Sequence, residues 1–177
     1  MKPIFETARL TIRPFLPTDT DDLLLIFSDP VAMEHFPGMK DRGATEKWLE
    51  TTFRLYERDG FALWAAFLKE DGSFVGAVGL VRQDVEGVDE TEIGYLLRRQ
   101  YWGLGLATEA AEGCREYAFG VLGKTRVISL IGPTNVASQR VAEKVGLRRW
   151  RDVVQWNKTL WLYALERREG AGGDGSR

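Results

Sequence analysis

Residues 99–107 read Arg99-Gln100-Tyr101-Trp102-Gly103-Leu104-Gly105-Leu106-Ala107. The two glycines stand between an apolar, strand-like run and a run with helical periodicity. Glycine has no Cβ, so the backbone of such a loop can approach a ligand closely. A helix that begins here directs unpaired N–H groups and the positive end of its dipole at the loop, which favours phosphate. The stretch therefore predicts a strand–loop–helix unit that binds a phosphate-bearing cofactor.

The composition is that of one soluble domain. The chain has 177 residues, of which 28% are charged and 44% hydrophobic, and its formal net charge is -2. This charge gives no reason to expect nucleic-acid binding, and no apolar run is long enough to cross a membrane. We therefore expect a cytoplasmic protein without a nucleic-acid or membrane partner. Cys114 is the only cysteine and His35 the only histidine, so no internal disulfide and no metal site are predicted.

Alternating and helical patterns divide the chain into strands and helices. Strands are predicted at 10–15, 61–68, 74–82, 90–97, 126–131, 150–155 and 159–166, with a hairpin turn at 70–72. Helices are predicted from Pro17 to about Phe27, from Ala44 to Arg58, after the two glycines, and from Asn135 to a cap at Gly146. This order predicts one α/β (α+β) domain over residues 1–168, with helices on both faces of a mixed sheet. The glycine-rich end, residues 169–177, has almost nothing to bury and is predicted to be a disordered tail.

The glycine loop differs from two common phosphate motifs. A P-loop requires Gly-x-x-x-x-Gly-Lys-Ser/Thr, which the chain lacks. The dinucleotide fingerprint requires Gly or Ala where this chain has Thr108, and it normally follows the first strand of a domain. What the chain has is Gln100-x-x-Gly103-x-Gly105, after a later strand and opening a helix. Alone, this pattern also fits an ordinary strand-to-helix turn whose glycines serve packing.

Further stretches resemble the GNAT acetyltransferases, in particular the branch with ribosomal-protein N-terminal (RimJ/RimL-type) acetyltransferases. Beside the loop pattern, they are TARLTIRP at 7–14, YWGLGLATEA at 101–110, and NVAS at 135–138 followed by EKVGL at 143–147. Their order and separations agree with that family over residues 7 to about 167. Two positions depart from it: Leu104 replaces a frequent Lys or Arg, and Leu147 replaces a Phe or Tyr.

The resemblance implies a fold and a reaction. The fold is the GNAT fold, a mixed, mostly antiparallel sheet of about seven strands with helices on both faces. The reaction is transfer of acetyl from acetyl-CoA to a primary amine, on a protein N-terminus or a small amino compound, by direct attack in a ternary complex. Two alternatives stay open: a catalytically silent acyl-CoA-binding module, and an acetyltransferase that acts on a polyamine or aminoglycoside.

The resemblance also implies which residues bind acetyl-CoA. The loop amides are expected to bind its pyrophosphate, and Trp102 to pack the loop against the core. Gly94 is expected to mark a bulge or a close backbone approach in a strand that pairs with the pantetheine arm. Asn135 fits equally well as an N-cap residue. The charged Arg140 and Lys144 on its helix fit equally well on a solvated face. The expected cofactor-binding residues are Leu96, Leu97, Gln100, Trp102, Gly103, Leu104, Gly105, Leu106, Ala107, Thr108, Asn135, Ser138, Arg140 and Lys144.

Glu92 and Ser138 are the expected catalytic residues. The attacking amine must be neutral, and an α-amine has a pKa of about 7.7–8.0, so a modest base suffices. Glu92 stands where members of the family often place such a base, and Glu90 is a rival. By the same resemblance the Ser138 hydroxyl faces the CoA sulfur and protonates the leaving thiolate, although a helix-start serine on a wet face fits equally. Cys114 lies on an apolar helical stripe and is expected to be a buried, inert thiol.

The acceptor is expected to bind beside the first two helices and the connection between them, from Asp29 to Gly43. The expected substrate-binding residues are Met33, His35, Phe36 and Glu92. This region has no concentrated acidic cluster, which favours an α-amine over a polycation. The six tryptophans leave room for an aromatic interface, so a homodimer is compatible with the sequence.

Overall fold

An eight-stranded sheet and four α-helices make up residues 2–167, the part of the chain that the computed structural model describes. The predicted tail at 169–177 lies outside the described residues. The strands are β1 (Phe5–Glu6), β2 (Leu10–Arg13), β3 (Leu63–Leu68), β4 (Phe74–Val85), β5 (Val88–Leu97), β6 (Arg126–Ile131), β7 (Arg148–Gln155) and β8 (Lys158–Glu166). The helices are α1 (Thr20–Phe27), α2 (Arg42–Asp59), α3 (Leu106–Gly120) and α4 (Val136–Val145).

The sheet is mixed and mostly antiparallel, as predicted. Its strand order is β1-β2-β3-β4-β5-β6-β8-β7, and β5–β6 is its parallel pair. A parallel pair needs a crossover connection, and α3 provides it between the end of β5 and the start of β6. The glycine loop opens this crossover. The fold therefore places the loop directly after the C-terminal end of β5, at the centre of the sheet.

Helices cover both faces of the sheet because successive strand residues point to opposite sides. On one face, Ile93 and Leu97 join the core that includes α3 and α4. On the other face, Leu96 joins the core of α1 and α2. Tyr95 packs against the same core as Ile93 and Leu97, as strand alternation requires.

Local capping signals set most helix ends. Asp41 Oδ1 accepts a hydrogen bond from the Ala44 amide at 2.8 Å and caps α2, and Gly60 ends that helix at φ +79°. Asn135 Oδ1 caps α4, which ends at Gly146 as predicted. The prediction was wrong at the first helix, because residues 17–19 form a 3-10 turn before α1 begins.

The hairpin of β4 and β5 extends beyond its predicted limits. The two strands pair without a register shift from Gly76–Leu97 to Val85–Val88, and Glu86 and Gly87 turn the chain at φ +52° and +84°. This is the backbone of a two-residue hairpin turn. The sequence prediction stopped short because the tip is polar. Val85 is the exception, and it packs in a small core with strands β6, β7 and β8.

Cys114 lies on the inner side of α3, fully buried. Burial in apolar surroundings raises the pKa of its thiol, so the nucleophilic thiolate is suppressed. We expect Cys114→Ala to retain turnover and to lose about 1 kcal/mol of stability, because the lost sulfur leaves a small cavity. Urea denaturation and steady-state kinetics measure both. A stable variant without turnover, together with an acetylated wild-type protein in mass spectrometry, would contradict this inert role.

Candidate active site

A cleft of about 810 Å³ opens between β5 and β6. The register sets Glu92 opposite Ile128, and beyond this pair the two strands separate around the cleft. Other walls come from the α1–α2 connection, the first turn of α4 and the β7–β8 turn. The cleft therefore collects side chains that lie far apart in the sequence.

The Glu92 carboxylate reaches across the strands that flank it. Its Oε2 accepts a hydrogen bond from Gln83 Nε2 on β4 at 2.7 Å, and its Oε1 accepts one from the Leu130 amide on β6 at 3.2 Å. Glu92 is half-buried and lines the cleft. The carboxylate is thus held in one place with a path to any ligand between β5 and β6.

Burial raises the pKa of the Glu92 carboxyl above its ordinary value. The two hydrogen bonds favour the charged form and oppose this shift, but desolvation is the larger effect. A carboxylate with a raised pKa is a better proton acceptor near neutral pH. The arrangement is suited to general base catalysis.

Glu90, the rival carboxylate, lies outside this cleft. Glu90 is buried, and its Oε1 lies 3.1 Å from Arg126 Nε. It lines a separate depression near the N-terminal end of β5. Its position indicates a structural ion pair. Among the two candidates, Glu92 is the one that meets the cleft.

Ser138 and Asn135 enter the same cleft from the start of α4. Asn135 Oδ1 accepts a hydrogen bond from the Ser138 amide at 3.2 Å, so it does act as an N-cap. The hydroxyl of Tyr95 donates to the Ser138 carbonyl at 2.9 Å. Tyr95 also lines the cleft, and sequence reasoning missed it as a site residue because it reads as an ordinary strand aromatic.

The α1–α2 connection supplies Glu34, His35, Phe36 and Pro37 to the cleft. His35 and Phe36, which the sequence predicted to bind the acceptor, therefore line the cleft. Met33 does not line the cleft: it is 4% exposed and packs in the core of α1 and α2. Of the connection between α1 and α2, only residues 34–37 line the cleft.

The β7–β8 turn adds a wall that sequence reasoning missed. Trp156 and Asn157 turn the chain at φ +50° and +57°, a left-handed conformation that costs a non-glycine residue about 1 kcal/mol or more. Trp156 lines the cleft together with Lys158, and it remains 61% exposed. A large aromatic residue in a two-residue turn was the signal available in the sequence.

The glycine loop follows the C-terminal end of β5. Gly103 and Gly105 have φ values of +74° and +77°, a conformation that disfavours side chains. Both are exposed, as is Leu104, whereas Leu106 is buried at the start of α3 and Ala107 and Thr108 are half-buried. The first turn of α3 leaves backbone amides without partners inside the helix. These amides stand beside an open, glycine-lined loop.

Backbone and side-chain contacts hold the loop to the end of β5. Trp102 Nε1 donates to the Leu97 carbonyl at 2.9 Å. Trp102 is 48% exposed and ties the loop to β5 through this hydrogen bond, whereas its neighbour Tyr101 is buried in the core. The exposed Gln100 accepts from Arg98 Nη2 at 3.1 Å.

The other residues discussed for cofactor binding lie on β5, between the cleft and the glycine loop, or on α4. Leu96 and Leu97 are buried, so β5 can offer a ligand its backbone but not these side chains. The β4–β5 pairing has no bulge at Gly94, and what lies close to it is a side chain: a Cβ there would lie 3.2 Å from Leu63 Cδ2. Arg140 and Lys144 are exposed on α4, outside the cleft.

None of the helices within residues 2–167 is long and apolar enough to cross a membrane. No three His, Cys, Asp or Glu side chains within the described residues come together as metal ligands.

Comparison with known families decides what this arrangement belongs to. The model of the acetyltransferase (GNAT) domain matches residues 9–148. The chain belongs to the GNAT acetyltransferase family. It is therefore an acyltransferase, and the family and fold that the sequence resemblance implied are confirmed.

Individual relatives agree with this assignment. The chain is 37% identical to the Bacillus subtilis (strain 168) protein YkkB over 158 residues, which is 89% of this chain and 92% of YkkB. A GNAT-family acetyltransferase structure from Bacillus anthracis superposes with a TM-score of 0.79 at 26% identity, over 91% of this chain and 96% of that one. Mycobacterium smegmatis RimJ, solved in complex with CoA-disulfide, has a TM-score of 0.73 at 20% identity over 94% and 90% of the two chains, a likeness in fold.

Proposed function

We propose that this GNAT acetyltransferase transfers acetyl from acetyl-CoA to a primary amine, an α-amine of a peptide or a small amino compound. The observation that carries the proposal is the placement of the Glu92 carboxylate in the cleft between β5 and β6, which is also lined by the α1–α2 connection and the start of α4. A base at this point can meet both an acyl donor that follows β5 and an amine that enters past His35 and Phe36.

The path of β5 supports an extended cofactor. From Glu92 to Leu97 an extended strand covers about 17 Å, so a ligand that occupies both cleft and glycine loop must be long and narrow, as phosphopantetheine is. Ser129 Oγ on β6 donates to the Ile93 carbonyl at 2.9 Å. Because alternate residues direct their backbone groups to opposite neighbours, the amide and carbonyl of Tyr95 face the opening. The pantetheine arm is proposed to bind there, with its pyrophosphate on the amides of the glycine loop.

The proposed chemistry is direct transfer within a ternary complex. Glu92 accepts the proton that the incoming ammonium must lose, directly or through water, and the neutral amine attacks the thioester carbonyl. The carbon–sulfur bond then breaks, and the thiolate takes a proton from the Ser138 hydroxyl. The acylated nitrogen gives up its second proton to Ser138, which restores that hydroxyl, and the Tyr95 hydroxyl holds the Ser138 backbone by donating to its carbonyl. Cys114 is fully buried and does not line the cleft, so the proposed transfer does not pass through an acetylated cysteine.

The charge around the acceptor side favours a single amine over a polycation. Among the Asp, Glu, Lys, Arg and His side chains, those that line the cleft are the acids Glu34 and Glu92, the base Lys158, and His35. Polyamines and aminoglycosides carry several positive charges and are favoured by concentrated acidic surfaces. The opening instead combines few charges with Phe36 and Trp156, which suits one amine attached to an apolar or aromatic body.

An amine panel tests this function. The protein is incubated with acetyl-CoA and short peptides, amino acids, monoamines, polyamines or aminoglycosides, and free thiol is measured. We expect acceptor-dependent thiol release that is fastest with α-amines or apolar monoamines. Turnover confined to polyamines or aminoglycosides would contradict the proposed acceptor class, and CoA binding without turnover of any amine would favour the silent binding module.

Gln83 is expected to set the pH at which Glu92 becomes active. Its amide donates to the Glu92 carboxylate and favours the charged form, so Gln83→Leu removes that contribution and raises the pKa of Glu92 further. The rising limb of kcat/KM against pH should therefore move to higher pH. Gln155→Leu is the matched control, because Gln155 donates to the Asp84 carbonyl and does not contact Glu92. An unchanged limb in Gln83→Leu would separate Glu92 from the rate-controlling proton transfer.

A further inference from the structure

The N-terminal hairpin is joined to the start of α3 by a dense set of hydrogen bonds. Glu109, in the first turn of α3, accepts from Thr7 Oγ1 at 2.6 Å and from the Arg9 amide at 2.7 Å, both at Oε1. Its Oε2 accepts from Arg9 Nε at 2.7 Å. Both carboxylate oxygens are thus used by a segment that lies about a hundred residues earlier in the chain.

The same arginine also binds the glycine loop. Arg9 Nη1 donates to the Leu104 carbonyl at 2.9 Å, and Arg9 Nη2 lies 3.5 Å from the position that a Cβ on Gly105 would occupy. One guanidinium therefore bridges the Glu109 carboxylate and the carbonyl between the two glycines. An ammonium on a single atom has no such fork geometry.

The bridge determines where the loop amides point. The Leu104 carbonyl and the Gly105 N–H belong to one planar trans peptide, in which they point in opposite directions. Holding that carbonyl against Arg9 fixes the Gly105 amide on the other side. Since glycine has a wide choice of backbone conformations, a loop with two of them gains much from such a restraint.

Global stability is a weak explanation for this contact. The Arg9 side chain is 49% exposed, and exposed ion pairs contribute little to folding. The contact is made instead to Leu104, and residues 100–107 contain no cation of their own. A nearby arginine with a structural hold on the loop fits that position.

We propose that Arg9 is a positioning residue for the pyrophosphate of the acyl donor. It acts by holding the Leu104 carbonyl and Glu109 together, so that the loop amides are already aligned when the cofactor arrives. This inference rests on the proposed use of acetyl-CoA and adds to it a residue outside the loop and outside the cleft.

Arg9→Met, which keeps most of the side-chain length, separates positioning from folding. We expect KM for acetyl-CoA to rise by about 10-fold or more, the scale of one charge-assisted hydrogen bond, with kcat nearly unchanged. With acetyl-pantetheine, which lacks the pyrophosphate, kcat/KM should stay within about 2-fold of wild type. The fold should survive, since Thr7 Oγ1 and the residue 9 amide still donate to Glu109. Arg9→Lys should resemble Arg9→Met, because one ammonium does not span both acceptors.

Arg82→Met is the matched control. Arg82 is an equally exposed arginine, 52% exposed, in a 2.7 Å ion pair with Asp89 near the tip of the β4–β5 hairpin, and both donors should keep their wild-type kinetics in this variant. An unchanged KM for acetyl-CoA in Arg9→Met, an equal loss with both donors, or full rescue by Arg9→Lys would each overturn the proposal. A wild-type protein that neither binds CoA nor uses acetyl-CoA would instead contradict the proposed function on which the inference rests.

Discussion

Glu92→Gln is expected to lower kcat by roughly 10²–10⁴-fold, the contribution typical of a positioned general base. Glutamine keeps the shape of the side chain and an oxygen for the Leu130 amide. Gln83 can turn its amide so that its oxygen accepts from the new NH2 group, so the cleft should remain intact. The loss should be partly rescued at high pH, where the amine is deprotonated by solvent. Steady-state kinetics from pH 6 to 10 with the best amine of the panel measures both effects.

The same variant is expected to be less active than wild type but more stable at pH 8. Burial raises the pKa of Glu92, so the folded protein binds this proton more tightly than the unfolded chain. Stability from this group is therefore lost as the pH rises through the folded pKa. Glutamine has no charge to desolvate, and Glu92→Gln should melt at a higher temperature than wild type at pH 8. The difference should shrink as the pH falls toward the ordinary glutamate pKa of about 4.3.

Glu90→Gln is the control for this pair of effects. Glu90 is paired with Arg126 outside the cleft, so its loss should reduce stability and leave kcat and its pH dependence unchanged. If Glu90→Gln, and not Glu92→Gln, lost turnover in a folded protein, the assignment of the base would be reversed.

Gly105→Glu is expected to abolish binding of acetyl-CoA while the fold survives. A side chain at φ +77° is strained, and the carboxylate adds bulk and negative charge beside the amides proposed to bind pyrophosphate. Like charges on ligand and loop then replace an attraction. Isothermal titration with CoA measures the loss, and circular dichroism and thermal melting establish the fold.

Gly123→Glu separates this effect from backbone strain. Gly123 has a similar φ of +64°, with no atom within 4 Å of its Cβ position among the described residues, and follows α3 on the exposed side. It incurs the same conformational cost and the same charge away from the loop, so its CoA affinity should equal that of wild type. Equal affinity in a folded Gly105→Glu protein would remove the glycine loop from the cofactor site.

Much of this fold was predictable because its signals are local. Asp41, Asn135 and Gly146 act on backbone groups within a few residues of themselves, so helix ends near them follow from chain order alone. The two faces of β5 follow from alternation, and the buried thiol of Cys114 from helical spacing. Where local signals were weak, as at the polar tip around Glu86 and Gly87, the predicted strands ended too early.

The site itself was only partly predictable, since a cleft depends on which strands become neighbours. Glu92 was identified by its place in the sequence, but its partners, Gln83 and the Leu130 amide, come from two different strands. Met33 and Phe36 lie three residues apart, and packing sent one into the core and the other to the cleft. Nothing in the spacing of residues 29–43 distinguishes them.

By itself, the sequence determined the elements, the glycine loop that opens α3 and the family, because glycine conformation, capping and hydrophobic periodicity act over short distances. Only the tertiary structure decided that Trp156 forms a wall of the cleft and that Arg9 reaches the Leu104 carbonyl. Arg9 and Leu104 lie 95 positions apart, and Trp156 lines the same cleft as Glu92, which lies on β5. Both arrangements exist because β5 and β6 pair at Glu92 and then separate, while β1 and β2 bring the N-terminal segment to the first turn of α3. Such neighbours are set by the register of a whole sheet, which depends on the packing of all its strands at once.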